Sequence, residues 1–220
     1  MDKTILEFNG VTKEYKDAET RVVSLNGINF KLKKNSLNLI NGFTGSGKTT
    51  IFNLITLMDI PSDGNIFLDD VILSGLSNSE RTILRREKIG SFLRYENLMP
   101  YLSVLENVML PMITTDKEKA LKILEVVGLS DKIDTFPEGL STHEKQITAL
   151  ARAMINDPLI IVADEPFADL DDENTLKLMK LLNKIKNITS FIILSDSDVL
   201  KQYFDRVFIL KKGKLVENKN

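Results

Sequence analysis

A glycine-rich stretch, GFTGSGKTT at 42–50, carries residue types that bind phosphate. It fits the pattern G-x-x-x-x-G-K-[ST] and lies between an apolar run typical of a strand and a segment with helical spacing. Glycines let consecutive backbone N–H groups close around phosphate oxygens, and the start of a helix adds positive potential. This context disfavours the alternative, a glycine-rich turn that only precedes a helix. The predicted nucleotide-binding residues are Gly42, Phe43, Thr44, Gly45, Ser46, Gly47, Lys48, Thr49 and Thr50.

Four side chains in and beyond this stretch could carry hydrolytic chemistry. Lys48 is expected to reach the terminal phosphates, and the Thr49 hydroxyl to bind Mg²⁺. Asp164 and Glu165 directly follow the apolar run 159–163, whose strand would end at the edge of the sheet beside the phosphate loop. There Asp164 would hold Mg²⁺ and Glu165 would orient and polarise the attacking water. Carboxylates also end strands for solubility alone, but the phosphate loop makes that alternative weaker.

The elements that must position these groups begin with short strands. Apolar runs at 5–8, 21–25 and 28–32 are separated by Asn-Gly pairs at 9–10 and 26–27, which are typical of hairpin turns. We therefore expect an antiparallel start, followed by the strand, loop and helix unit that contains the phosphate loop.

The remainder of the chain predicts an α/β fold. Helical spacing prevails from about 79 to 153, and apolar runs at 159–163 and 190–194 flank a helix over 173–188, as in a βαβ crossover. We expect a P-loop NTPase core with a mainly parallel sheet, an N-terminal antiparallel β subdomain and a helical insertion. The expected boundaries are one ATP-binding domain over 1–220, with its core in 1–90 and 155–220 and a helical subdomain at about 91–154.

Composition limits the partners and the compartment. Lys plus Arg number 29 against 31 Asp plus Glu, so the net charge of -2 offers no basic field to nucleic acid, and we expect no nucleic-acid partner. The chain has no cysteine and no apolar run near the ~20 residues of a spanning helix. These features favour the cytoplasm, with any membrane role exerted through a partner.

Together the motifs resemble the ATP-binding subunit of an ABC transporter, over nearly the whole chain. The segment 140–158, LSTHEKQITALARAMINDP, resembles the signature motif and its helix, and Leu170-Asp171 matches the D-loop. The segment 102–111 resembles the part that faces the membrane subunit, and 204–217 resembles the final strands. The small subfamily of lipoprotein-release, macrolide-export and FtsE-like ATPases is the most similar.

The resemblance implies an ABC ATPase fold that binds ATP and Mg²⁺ in a head-to-tail dimer and drives a separate membrane permease from the inner face of the membrane. The second ATP-binding subunit could be identical or different. Each site would combine the phosphate loop, Asp164 and Glu165 of one chain with the signature of the other, including Ser141. Asp171 would join the site through the D-loop. Tyr15 lies where the family places an aromatic residue that stacks on adenine, although a buried structural tyrosine is the alternative.

Four positions depart from the family pattern. Arg94 replaces the usual glutamine, Asp196 the switch histidine, and Thr142 and His143 the two signature glycines. We hypothesise that Arg94 pairs with Asp196 and holds it away from phosphate; two unrelated losses are an equal alternative. Because preorganised contacts to the transferring phosphate are replaced, we expect weak hydrolysis.

The signature retains one local feature and raises one question. Ser141-x-x-Glu144 forms a capping box, so a helix N-terminus would still face the partner's phosphate. For His143, the only histidine, a catalytic base is disfavoured, which leaves a contact to the partner's phosphate or an exposed first-turn residue.

Two functional interpretations follow from the retained and the replaced residues. Glu165 favours a hydrolysing transporter subunit. The replaced positions favour a second class, an ATP-responsive regulatory module that barely hydrolyses ATP and forms the degenerate half of a heterodimer. A DNA-repair or chromosome ATPase is disfavoured by the acidic balance and by the lack of a long coiled-coil insertion.

Overall fold

A computed structural model describes residues 3–16, 20–93, 97–198 and 200–218. Its strands are β1 (Thr4–Lys16), β2 (Arg21–Lys33), β3 (Leu37–Asn41), β4 (Asp63–Leu68), β5 (Val71–Ile72), β6 (Ile89–Leu93), β7 (Ile160–Asp164), β8 (Ser190–Ser195), β9 (Arg206–Lys211) and β10 (Lys214–Asn218). Its α-helices are α1 (Lys48–Ile55), α2 (Asn78–Lys88), α3 (Val104–Met109), α4 (Lys117–Val127), α5 (Thr142–Met154) and α6 (Asp172–Ile185).

The first sheet is antiparallel, in the order β2-β1-β4-β5, as the sequence predicts. The predicted turns at 9–10 and 26–27 are wrong, because β1 and β2 run straight through them as β-bulges with shifts of register. Gly10 and Gly27 both have a φ of 62°, a conformation that a bulge and a hairpin turn equally require. Their amides donate to the Asn29 carboxamide at 2.8 Å and the Thr12 hydroxyl at 3.1 Å. These side-chain oxygens accept hydrogen bonds from two amides that, because of the bulges, are not hydrogen-bonded to the backbone of the neighbouring strand.

The second sheet carries the nucleotide site, in the order β10-β9-β3-β8-β7-β6. All its neighbouring strands are parallel except β10, which is antiparallel to β9. The mainly helical segment expected from about 79 to 153 also contains a strand that we did not predict, because Ile89–Leu93 forms the edge strand β6 beside β7. The register aligns Asn41 with Ser195 and Asp164 with Leu194. The ends of β3, β7 and β8 therefore meet at one edge of the sheet.

Two hydrophobic cores lie on opposite faces of this sheet, and β7 contributes to both by strict alternation. Ile161 and Ala163 pack in the core that includes α3, α4, α5 and α6. Ile160 and Val162 pack in the core that includes α1 and the first sheet. Because β7 is buried on both faces up to Asp164, its carboxyl end is held rigidly beside the phosphate loop. Within the described ranges, no helix is long and apolar enough to cross a membrane.

Candidate nucleotide-binding and hydrolysis site

The phosphate loop connects β3 to α1, and two of its glycines, Gly42 and Gly47, are sterically required. A Cβ at Gly42 would lie 2.7 Å from the Leu210 carbonyl oxygen, and one at Gly47 2.9 Å from the Ser24 carbonyl oxygen. Gly47 also has a φ of 113° and precedes the first residue of α1, with no side chain capping the helix. Within the described ranges, the amides of Gly47, Lys48 and Thr49 donate no hydrogen bond. Unpaired amides at a helix N-terminus suit a phosphate ligand.

The Lys48 ammonium lies between the phosphate loop and Glu165. Its side chain is 9% exposed, its Nζ donates to the Gly42 carbonyl, and it lies 3.2 Å from Glu165 Oε1. The other Glu165 oxygen, Oε2, accepts a 2.9 Å hydrogen bond from the Ser195 hydroxyl. Lys48, Glu165 and Ser195 therefore form one connected cluster at the sheet edge.

Asp164 and Thr49, the predicted Mg²⁺ ligands, line the same cleft as Lys48 and Glu165. Burial raises the pKa of Asp164, and the neighbouring Glu165 carboxylate raises it further, while Lys48 acts in the opposite direction. Two adjacent, half-buried carboxylates with one ammonium beside Glu165 form a site with excess negative charge. A cation bound there would relieve the repulsion, and the oxygen ligands suit Mg²⁺, which takes one or two carboxylates together with substrate phosphates.

The other loop residues surround this cleft in different ways. Phe43 is 81% exposed and, with Thr44 and Gly45, lines the opening. Thr50 is buried, and its hydroxyl is hydrogen-bonded to that of Ser24 at 2.6 Å, which ties α1 to β2. The Ser46 hydroxyl is buried and lacks a hydrogen-bond partner in the described part of the chain. A polar ligand in the loop would satisfy it.

Tyr15 lies at the end of β1 and does not line the cleft, so its predicted adenine contact stays a prediction. The ring is 42% exposed, which contradicts the buried structural alternative. Its hydroxyl donates to Asp59 at 3.1 Å, and the Lys13 ammonium lies 5.1 Å from the ring centroid. Because the Lys13 ammonium occupies one side of the ring, a stacked base would need the other side.

Ser141 caps α5 as predicted. Its hydroxyl accepts from the Glu144 amide at 3.2 Å, while its own N–H donates to the Glu144 carboxylate at 2.8 Å. This N–H holds the pKa of Glu144 below its usual value. Asp171 caps α6 in the same way by accepting from the Asn174 amide at 2.8 Å. Both caps are exposed.

The exposed interpretation of His143 is wrong, because the side chain is half-buried. Burial lowers its pKa and the Lys177 charge lowers it further, while Glu144 and Asp171 act against them. Its Nδ1 is buried and accepts or donates no hydrogen bond within the described ranges. The lowered pKa leaves the His143 side chain mostly neutral at pH 7.

The hypothesis of an Arg94–Asp196 pair lies outside the described residues, because Arg94 falls in the gap at 94–96. Asp196 is exposed and follows β8 immediately. It is Ser195, one position earlier, that contacts Glu165, and we did not predict that contact from the sequence. The parallel register of β7 and β8 could have revealed it, since Ser195 follows the residue paired with Asp164.

Comparison with known proteins agrees with this geometry. The ABC transporter family model matches residues 25–168. An uncharacterised ABC transporter ATP-binding protein of Methanocaldococcus jannaschii is 34% identical over 97% of this chain and 98% of that protein. The lipoprotein-releasing system ATP-binding protein LolD of Blochmanniella floridana is 34% identical over 96% of this chain and 93% of its own length.

Solved structures give the same fold. The dimeric structure of MJ0796, a bacterial ABC transporter cassette, has a TM-score of 0.87 and 32% identity over 98% of both chains. The dimer of that cassette in a post-hydrolysis state, bound to ADP and Pi, has a TM-score of 0.86. The predicted fold and the resemblance to lipoprotein-release ATPases are confirmed. This chain belongs to the ABC transporter family as one of its ATP-binding cassettes, a family of dimeric, nucleotide-binding ATPases.

Proposed function

We propose that this cassette hydrolyses ATP in a head-to-tail dimer and couples the reaction to a separate membrane permease. The observation that carries the proposal is the cluster of Lys48, Glu165 and Ser195 beside a phosphate loop whose first helical amides are free to bind phosphate. A regulator that binds ATP but never hydrolyses it would not need, at this position, a carboxylate that is bonded to both Lys48 and Ser195.

The side chains of the site have different tasks in this proposal. Lys48 binds the terminal phosphates, and the backbone amides of the phosphate loop bind phosphate oxygens. Glu165 orients and polarises the water that attacks the γ-phosphorus. Thr49 and Asp164 would hold Mg²⁺, which supplies positive charge to the phosphates when bound. Tyr15 stacks on adenine.

The second half of each site comes from the partner chain. Ser141 and Asp171 are exposed caps of two neighbouring helix N-termini, so both are available to another molecule. In the head-to-tail dimer they meet the nucleotide held by the other subunit, and the N-terminus of α5 adds positive potential toward its γ-phosphate.

The permease contact is assigned to the segment around α3. Large apolar side chains are exposed on both sides of this helix, at Met99, Tyr101, Leu110 and Ile113. Clustered apolar exposure of this kind marks a protein interface. Docking there places the cassette on the inner face of the membrane, with the helical subdomain at about 91–154 between the permease and the nucleotide core.

Turnover is slow in this proposal, because Arg94, Asp196, Thr142 and His143 replace residues that usually contact the nucleotide or the water. The test compares wild type with Glu165→Gln in steady-state ATPase assays of the native complex, co-purified from its membrane. The amide keeps the shape of the carboxylate but is not a base, so we expect a loss of more than about 100-fold with ATP binding retained. Unchanged turnover would refute hydrolysis at this site.

A further inference from the structure

We propose that Ser195 is a positioning residue for hydrolysis: its hydroxyl holds the Glu165 carboxylate in place once Lys48 binds the phosphates. This inference rests on the proposed function, because it concerns the orientation of the carboxylate that we assign to the attacking water. It begins from the 2.9 Å hydrogen bond between Ser195 Oγ and Glu165 Oε2.

The direction of this hydrogen bond is determined by a second contact. Ser195 Oγ accepts from the Ser197 amide at 3.2 Å, so the hydroxyl proton is free to point at Glu165. The Ser195 side chain is 2% exposed, and water therefore offers little competition for the proton. A hydroxyl that donates to a carboxylate makes a charge-assisted hydrogen bond, stronger than one between neutral groups.

The contacts of the Glu165 carboxylate show why the Ser195 hydroxyl is decisive for its orientation. Within the described residues, the side chains that contact its carboxylate are Lys48 and Ser195. Lys48 is also the residue that we assign to the phosphates, so it is shared between ATP and Glu165. Ser195 has no such second task, and it remains bonded to Glu165 when the ammonium turns to the nucleotide.

The backbone makes Ser195 a rigid reference point. The Ser195 carbonyl accepts from the Gly42 amide at 3.1 Å, which ties it to the first glycine of the phosphate loop. The amide of Glu165 donates to the Leu194 carbonyl at 2.8 Å, and Glu165 itself has a φ of 49°. The end of β8 is thus hydrogen-bonded both to the phosphate loop and to the turn that bears Glu165. A carboxylate bonded to this strand keeps a fixed distance from the bound phosphates.

The test uses single-turnover hydrolysis of ATP by the full chain in the presence of Mg²⁺, together with equilibrium binding of a fluorescent ATP analogue. For Ser195→Ala we expect the rate to fall about 10- to 100-fold, because the carboxylate loses its fixed orientation. Nucleotide affinity should change by less than about twofold, since within the described residues the Ser195 hydroxyl is hydrogen-bonded to Glu165 and the Ser197 amide and not to the phosphate loop. Ser195→Thr keeps the hydroxyl and should restore most of the rate.

Ser190→Ala is the matched control. Ser190 is a fully buried serine on the same strand, and its hydroxyl accepts from the Asn35 amide at 2.8 Å, at the opposite end of β8 from the site. Its loss should leave the rate unchanged. The proposal is overturned if Ser195→Ala keeps the wild-type rate, or if it weakens nucleotide binding as much as turnover.

Glu165→Gln separates this inference from the proposed function. If Glu165→Gln abolishes hydrolysis while Ser195→Ala does not, only the role of Ser195 fails. If both variants keep the wild-type rate, hydrolysis through Glu165 is refuted and the positioning role is refuted with it.

Discussion

The sharpest prediction separates the structural role of Ser141 from its proposed role in the partner's site. Ser141→Ala removes two hydrogen bonds of an exposed capping box, one accepted from the Glu144 amide at 3.2 Å and one donated to its carboxylate at 2.9 Å. Loss of an N-cap serine costs about 1 kcal/mol of stability. For a domain of this size, that amounts to a fall in Tm of about 2 to 4 °C.

The chain contains a matched control on another helix. Ser77 caps α2 by a capping box with Glu80, with hydroxyl contacts of 3.3 Å and 2.7 Å and a backbone donation of 2.8 Å. Ser77 is also exposed. Ser77→Ala should therefore lower the free energy of unfolding by the same amount as Ser141→Ala, within about 0.5 kcal/mol.

The two variants should differ in ATP-driven dimerisation. A hydrogen bond from Ser141 to a charged phosphate of the other subunit is worth about 1.5 to 3 kcal/mol, or about 10- to 150-fold in the dimer dissociation constant. A homodimer loses this factor at both sites, so the two factors multiply, whereas a heterodimer loses it once. This change in the dimer dissociation constant would be measured by sedimentation in the presence of ATP, in chains that also carry Glu165→Gln. Equal dimerisation of Ser141→Ala and Ser77→Ala would refute the composite site.

Two further predictions concern charge and packing. Because the pKa of Asp164 is raised on folding, its contribution to stability falls as pH rises above its ordinary pKa and through the raised value, and at pH 7 the ionised form is destabilising. Without nucleotide, Asp164→Asn should therefore raise the free energy of unfolding slightly, by less than about 1 kcal/mol because the group is partly solvated. It should also abolish the extra thermal stabilisation that Mg²⁺ adds to ATP. Gly90→Ala would place a Cβ 2.4 Å from the Ala153 carbonyl oxygen and 2.9 Å from Ile161, which should cost about 2 kcal/mol in urea unfolding. Gly75→Ala, with no atom within 4 Å of its Cβ, should cost far less; equal costs would contradict the packing argument.

Local sequence patterns predicted the features that depend on neighbouring residues. The phosphate loop, the buried strand that ends in Asp164 and the Ser141 capping box all follow from short segments whose chemistry is self-contained. The Asn-Gly pair at 9–10 was misassigned because a bulge and a hairpin turn require the same positive φ at glycine. Only the partner strand distinguishes them, since the Asn29 side chain that bonds the Gly10 amide lies 19 residues away.

The features that the sequence did not reveal depend on which strands are neighbours. Strand β6 is short, contains Gly90 and directly follows a helix, so its pattern alone indicates no sheet. It forms a strand by pairing with β7, and Gly90 lets α5 pack closely against it. Ser195 is a similar case: nothing in its own segment indicates contact with Glu165, which is 30 positions earlier. The register of two parallel strands brings the pair together.

In the proposed dimer, the two replaced signature glycines would not affect the partner's site equally. Thr142 is exposed at the first position of α5, whereas the His143 side chain is half-buried. Thr142 therefore presents more bulk than His143 to the surface that the other subunit would approach. Burial lowers the pKa of His143, so this side chain adds little positive charge to the N-terminus of α5 at pH 7. The altered signature thus retains the serine cap and the helix N-terminus, and its main added obstacle to close approach is Thr142.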